Sequence, residues 1–287
     1  MAITFDPQSY LDAGVCDAEI PTVSPSPFDF AQDGAYATGG NRWFIRCGGG
    51  PAGNYMEHQT VQNQHAAFIV CQRFASQAVT AGQVWYLAYF HRVDRINGLN
   101  VWHVPAIQSF DKGLEFNGTG LRWDVAMGNI APFADPPLDK FIMFLGNPTF
   151  HLNPTIESND YIMHNVAPYS ETNPLYLNYE RWYACVLELK VATDNTGWVK
   201  GYINGIKHTE HLNIKTWANV AGIDISRVQW GGTLAQFLYD SPPHIRKIDG
   251  WIITDELSTL QARGYFSDPL FPSVSSTLVV GSRRCLI

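Results

Sequence analysis

The chain has 287 residues, 46% of them hydrophobic and 16% charged, which is enough apolar material for a large core and excludes disorder over the whole length. Its net charge is −7 and Lys and Arg form no cluster, which excludes a nucleic-acid partner, since phosphates need a basic stripe. No apolar run reaches about 18 residues, so no transmembrane helix and no membrane insertion are expected.

The opening MAITFDPQSYLDAG has neither the basic nor the apolar region of a signal peptide. Residues 1–40 read as irregular, and Pro21, Pro25 and Pro27 suit an extended arm. The run CGGGPAGN, Cys47–Asn54, reads as a flexible loop. Strand patterns begin near Phe68. HAAFIVCQRFA reads as one strand, and VWYLAYFHRVDRI, rich in aromatic and β-branched residues, as another that ends at Asn97-Gly98. LNVWHV follows, and KGLEFNGTGLRWDVAM suggests two short strands around Asn117-Gly118. KFIMFLG is a further strand, and residues 147–178 read as a long surface loop. RWYACVLELKVA and GWVKGYINGIKHTEH pair around residues 194–197, and Asn204-Gly205 turns the chain again. ISRVQWGG and HIRKIDGWIITD complete the strands, and DELSTLQARGYF is the one helical stretch, before an apolar and then basic tail.

Many strands, recurrent Asn-Gly turns and almost no helix predict an all-β protein, a two-sheet antiparallel jelly-roll sandwich with one short C-terminal helix. The expected organisation is an N-terminal arm and loops over 1–64, a sandwich over 65–268 and a tail over 269–287. Cys16, Cys47, Cys71, Cys185 and Cys285 are an odd, scattered set without CxxC, which reads as free thiols in a reducing environment.

The segment from Arg181 to Asp255 resembles the C-terminal half of the concanavalin A-like jelly roll of legume lectins, laminin-G modules and several polysaccharide lyases. The matching residues are Trp182, Gly197, Asn204-Gly205 and Ile248-Asp249-Gly250. AYFHRVDRINGLNVWH with DKGLEFNGTGLRW is similar to the central strands of the lyase members, so the resemblance runs from about Phe68 to Phe266. It implies a sandwich whose concave face binds glycans. It also allows a structural calcium at Asp249, with no cofactor otherwise required.

Four chemistries compete for the polar residues. HTEH (residues 208–211) places two histidines three apart, and on a regular strand odd separations point to opposite faces, so it reads as a solvated strand end rather than a metal site. β-Elimination beside a uronate needs a carboxylate neutraliser, a base and an acid. The resemblance implies Arg, Gln or Asn with a His/Tyr pair or a Tyr, and the strands offer His91, Arg92, Arg122, Lys200, Tyr202 and Gln229. The Arg-x-Glu-x-Arg strand and the Tyr-Phe-Lys-rich strand of alginate lyases are absent, as is the paired-Glu strand of glucanases. Sugar C–H faces stack on aromatic rings, for which Trp85, Tyr86, Tyr89, Trp102, Trp123 and Trp198 are candidates, each also suited to a core.

The expected function is therefore a non-catalytic glycan-binding or structural subunit of a larger assembly, such as a virion surface protein in a capsid-decoration or receptor-binding role. A polysaccharide lyase acting on a uronate-containing polymer is the alternative. The partners expected are a glycan or polysaccharide and other subunits or copies of the chain. The expected location is a virion surface or the cytoplasm, or the exterior if export follows another route.

Overall fold

The structure is a computed structural model that describes residues 4–6, 8–20, 22–23, 30–33, 42–59, 67–78, 80–95, 111–112, 124–127, 140–147, 164–165, 168–169, 175–192, 194–214, 224–233 and 244–267. The first elements are β1 (Thr4–Phe5), α1 (Gln8–Ala13), β2 (Thr22–Val23), β3 (Phe30–Asp33), β4 (Arg42–Arg46) and β5 (Tyr55–Gln59). Next come β6 (Ala67–Ala78), β7 (Val84–Arg95), β8 (Asp111–Lys112), β9 (Asp124–Met127), β10 (Lys140–Asn147) and β11 (His164–Asn165). The chain continues through β12 (Tyr176–Asn178), β13 (Tyr183–Lys190), β14 (Gly197–Ile203), β15 (Ile206–Ile214), β16 (Asp224–Thr233), β17 (His244–Thr254) and α2 (Leu257–Ala262).

The chain is all-β, as its alternating patterns predict. One sheet runs β11-β15-β14-β13-β7-β17-β5-β4, with β1 also on β17. Two smaller sheets run β12-β10-β9-β8 and β16-β6-β3-β2. β10 packs across β13, β14 and β15, while β16 adjoins β8, so the two small sheets form the second layer of a sandwich. Among the described residues every strand pairing is antiparallel except that of β2 with β3.

The centre of the large sheet is buried on both faces, and this explains why β7 reads as an unbroken apolar run rather than an alternation. On one face Tyr86, Ala88 and Phe90 of β7 pack with Ala184 and Val186 of β13 and Ile252 of β17 under Leu260 of α2 and Tyr265. We call this the helix face. On the other, Trp85, Leu87 and Tyr89 lie opposite Leu189, Leu187 and Cys185, all at most 2% exposed. Cys185 is buried, as its apolar strand predicts, and that burial pushes its thiol well up from the ordinary range.

Several expectations are corrected here. Residues 42–59, read as part of an arm, supply β4 and β5 of the large sheet, with Trp43 and Met56 fully buried. Residues 8–13, read as irregular, form helix α1, which packs against β17. Cys16 and Cys47, read as free thiols, are joined in a disulfide with a Cα–Cα distance of 5.2 Å. Their separation of 31 residues carries no local signal, so only the long-range fold brings them together.

Candidate functional site

The hairpin β14–β15 turns at Asn204-Gly205, where both residues take left-handed φ angles, 49° and 78°, as a primed two-residue turn requires. Register then builds a row of facing side chains on the helix face: Tyr86 of β7, Glu188 of β13, Lys200 of β14 and Glu210 of β15. Trp198 and Tyr202 flank Lys200 on the same side of β14, and all three are half-buried, alternating with the buried Val199, Gly201 and Ile203. The alternation predicted for β14 is therefore realised, with its polar side turned partly to solvent.

These side chains are tied together. The Tyr202 hydroxyl donates to Glu188 Oε2 at 2.6 Å. The Lys200 ammonium lies 3.6 Å from Glu188 Oε1 and 3.7 Å from the centre of the Trp198 ring. Glu210 accepts from the Lys207 ammonium at 2.7 Å. Phe266 meets Tyr202 edge-on, with ring centres 5.6 Å apart. Burial, and next the hydrogen bond to Glu188, push the Tyr202 phenol well above its ordinary range; burial and then the Glu188 charge also raise Tyr86. Tyr202 is thus held as a proton donor, and Lys200 as a cation beside a half-exposed indole.

The remaining sequence candidates scatter. His91 is buried and sits opposite Tyr183, whereas the adjacent Arg92 projects from the other face, opposite Lys247. Arg92 Nε donates to Asp94 at 2.5 Å, and Lys247 reaches the same carboxylate at 2.6 Å. Glu57 then links Lys247, at 3.8 Å, to Arg46, at 2.8 Å. Arg92 belongs to this ion-pair chain and shares no site with His91. Gln229 lies on β16 opposite Cys71 of β6. Arg122, Trp102 and Trp123 lie outside the described residues. Trp85 and Tyr89 are 1% and 0% exposed, so their rings belong to the core rather than to a sugar platform.

HTEH also departs from its reading. A bulge opposite Gly201 and Tyr202 inserts His208 as an extra residue, and His208 is buried, with Nδ1 3.2 Å from the Gly201 carbonyl. Glu210 alone of the motif joins the half-exposed row, and His211 lies opposite the buried Val199.

Asp249 forms a second cluster, on the helix face. Its side chain is fully buried, and Oδ2 accepts the Ala52 amide at 2.7 Å. Oδ1 has no hydrogen-bond partner among the described residues. Burial chiefly, and then the nearby charge of Asp12, raise its pKa to about 6, against the pull of the Ala52, Gly250 and Gly53 amides. The loop from Cys47 to Asn54 wraps the carboxylate so closely that a Cβ on Gly50 would lie 2.2 Å from Oδ2. Asp12, on α1, accepts the Asn54 amide at 3.1 Å. Gln8 ties the cluster further, donating to the Asn54 carbonyl and accepting from the Gly250 amide. Nothing in CGGGPAGN announces this partner, which lies almost two hundred residues away; the signal available was the glycine density, which permits so close an approach.

Two observations bear on the calcium that the resemblance allows: the orphaned buried Oδ1, and a glycine loop in which Gly50 abuts Asp249 and Gly53 abuts a second carboxylate, Asp12. No group of three or more His, Cys, Asp or Glu side chains gathers in this way among the described residues. Backbone carbonyls and water would then complete the oxygen shell of about six to eight ligands that calcium takes.

No protein-family description matches the chain, and no curated protein does. Similar solved structures exist at low identity. An endo-β-1,4-glucuronan lyase from the fungus Trichoderma reesei is 13% identical, with a TM-score of 0.47 over 89% of this chain and 99% of that one. The PL-14 alginate lyase from Aplysia kurodai is 11% identical, with a TM-score of 0.43 over 84% and 99% of the two chains. The binding domain of botulinum neurotoxin serotype C1 is 12% identical, with a TM-score of 0.42 over 86% and 50%. The chain is similar, at low identity, to these two polysaccharide lyases and to this toxin binding domain.

Proposed function

We propose that this chain is a non-catalytic, glycan-binding subunit that uses the half-exposed face of β13–β15. What supports the reading is the state of Tyr202. A lyase base must give up a proton that it can take back from a sugar carbon, but Tyr202 already donates its proton to Glu188, and its phenol is pushed upward. The face instead suits recognition. The Trp198 ring offers a stacking surface, and the Lys200 ammonium above it is placed for a sugar hydroxyl or carboxylate. The glycans that this pair fits best are acidic ones.

Incubation with glucuronan, alginate and heparin oligosaccharides tests the proposal. Binding by titration calorimetry is expected, without growth of ultraviolet absorbance from an unsaturated product. Trp198→Ala should weaken that binding about tenfold, the order of one lost aromatic contact. A time-dependent absorbance rise would establish the lyase alternative instead.

Two further parts belong to the proposal. Asp249, with Asp12, holds a structural calcium at the loop. The Cys16–Cys47 disulfide supports work in an oxidising medium, outside a cell or on a particle surface, rather than in reducing cytoplasm. A place among other subunits, of its own kind or another, remains part of the reading and is tested below by mass in solution.

A further inference from the structure

We propose that Lys200 decides which sugars the β13–β15 face admits: its ammonium caps the Trp198 ring in the free chain and leaves it for a ligand carboxylate, so that neutral sugars are turned away. The inference rests on the glycan-binding reading above and adds the residue that sets its specificity.

The cap lies on the face of the ring that leads to the other polar groups. Lys200 follows Trp198 by two residues on the same side of β14, and its ammonium sits 3.7 Å from the ring centre. It therefore covers the face turned along the strand towards Tyr202 and Glu188. A sugar stacked there reaches those groups. One stacked on the opposite face lies towards the turn that precedes β14, away from them. Stacking that also uses the hydrogen-bonding row thus requires Lys200 to move.

Lys200 has bonds left to offer. Among the described residues its ammonium makes no hydrogen bond. Glu188 Oε1, at 3.6 Å, is beyond hydrogen-bond reach, and Oε2 of the same carboxylate is taken by Tyr202 at 2.6 Å. The other lysine of the β14–β15 hairpin, Lys207, is by contrast committed to Glu210 at 2.7 Å. Leaving the ring gives up a cation–π contact, a factor of about two to five at such a site, and a loose ion pair worth at most about fivefold. A carboxylate on the sugar offsets that loss with charge-assisted hydrogen bonds, whereas a neutral hydroxyl offsets less of it. An acidic sugar is therefore favoured over its neutral counterpart by about tenfold.

Titration calorimetry of the full chain with two tetrasaccharides tests this. Fragments of β-1,4-glucuronan and of cellulose differ only at C6, a carboxylate in one and a hydroxymethyl group in the other. The wild-type chain should bind the acidic fragment about tenfold more tightly. Lys200→Ala should weaken the acidic fragment and strengthen the neutral one, so that the two affinities converge. A merely structural role would move both in the same direction. Lys200→Arg, which keeps a cation for the ring and for the carboxylate, should restore the preference. If Lys200→Ala does not fold, methyl esterification of the acidic fragment puts the question to the unaltered protein: the ester should bind no more tightly than the cellulose fragment. Equal affinities for the acidic and neutral fragments, a Lys200→Ala variant that weakens both alike, or an ester that binds like the free acid overturns the cap and leaves the glycan reading standing. No binding of either fragment by the wild type overturns both.

Discussion

Tyr202 shows how much one side chain's partners decide. Its position on the polar side of β14 follows from alternation with Val199, Gly201 and Ile203. Its character does not, because Glu188, which fixes it as a donor, arrives from β13. Tyr202→Phe removes that hydrogen bond while Lys200 still faces the carboxylate. The variant should lose about 1 kcal/mol of stability in urea unfolding and keep its glycan affinity. A loss of glycan binding equal to that of Trp198→Ala would place Tyr202 in direct contact with the sugar instead. Gly205 is constrained twice over: its φ is 78°, and an added Cβ would lie 2.2 Å from the Phe266 carbonyl oxygen. Gly205→Ala should therefore cost about 1–3 kcal/mol or more, as strained backbone positions do, seen as a lower denaturation midpoint. An unchanged midpoint would mean that the hairpin is not pressed against the chain following α2.

At the scale of elements, the strands from β13 to β17 were legible because each is long, β-branched or aromatic, and bounded by turn residues. β4, β5 and α1 were not. They are short, and a run of prolines and glycines surrounds them; β5 and α1 take shape against β17, a strand about two hundred residues later, and β4 in turn pairs with β5. The bulge in β15 was equally hidden. One extra residue at His208 shifts the parity of the side chains that follow, up to a second shift between Leu212 and Ile214, and periodicity counted along a single strand cannot detect it. The disulfide adds a covalent restraint to the backbone pairing that holds the N-terminal elements. Cys47→Ser opens a loop of 31 residues and should lower stability by about 3–4 kcal/mol on the chain-entropy estimate. Thermal unfolding with and without a reducing agent reads it directly: a wild-type transition that a dithiol does not move would remove the disulfide from this account.

For the molecule as a whole, the large sheet separates two kinds of surface. Its centre is sealed on one face by the second layer and on the other by α2, so a binding surface is left towards β15, where α2 no longer covers the helix face. Such a surface remains usable when copies of the chain assemble, provided that contacts form elsewhere. Sedimentation should give a mass above that of a single chain, and Trp198→Ala should leave that mass unchanged. A monomer at all concentrations would end the assembly reading without touching the glycan-binding one.

The sequence by itself determined the fold class, the position of most long strands and the primed hairpin turn, because each of these follows from local periodicity or turn chemistry. Tertiary structure alone decided that Trp85, Tyr89 and His91 are core, that Cys16 meets Cys47, and that a glycine-rich loop closes on Asp249. The reason is physical. A strand's pattern says which side chains share a face, but what covers that face, and what charge lies opposite it, comes from segments distant in the chain.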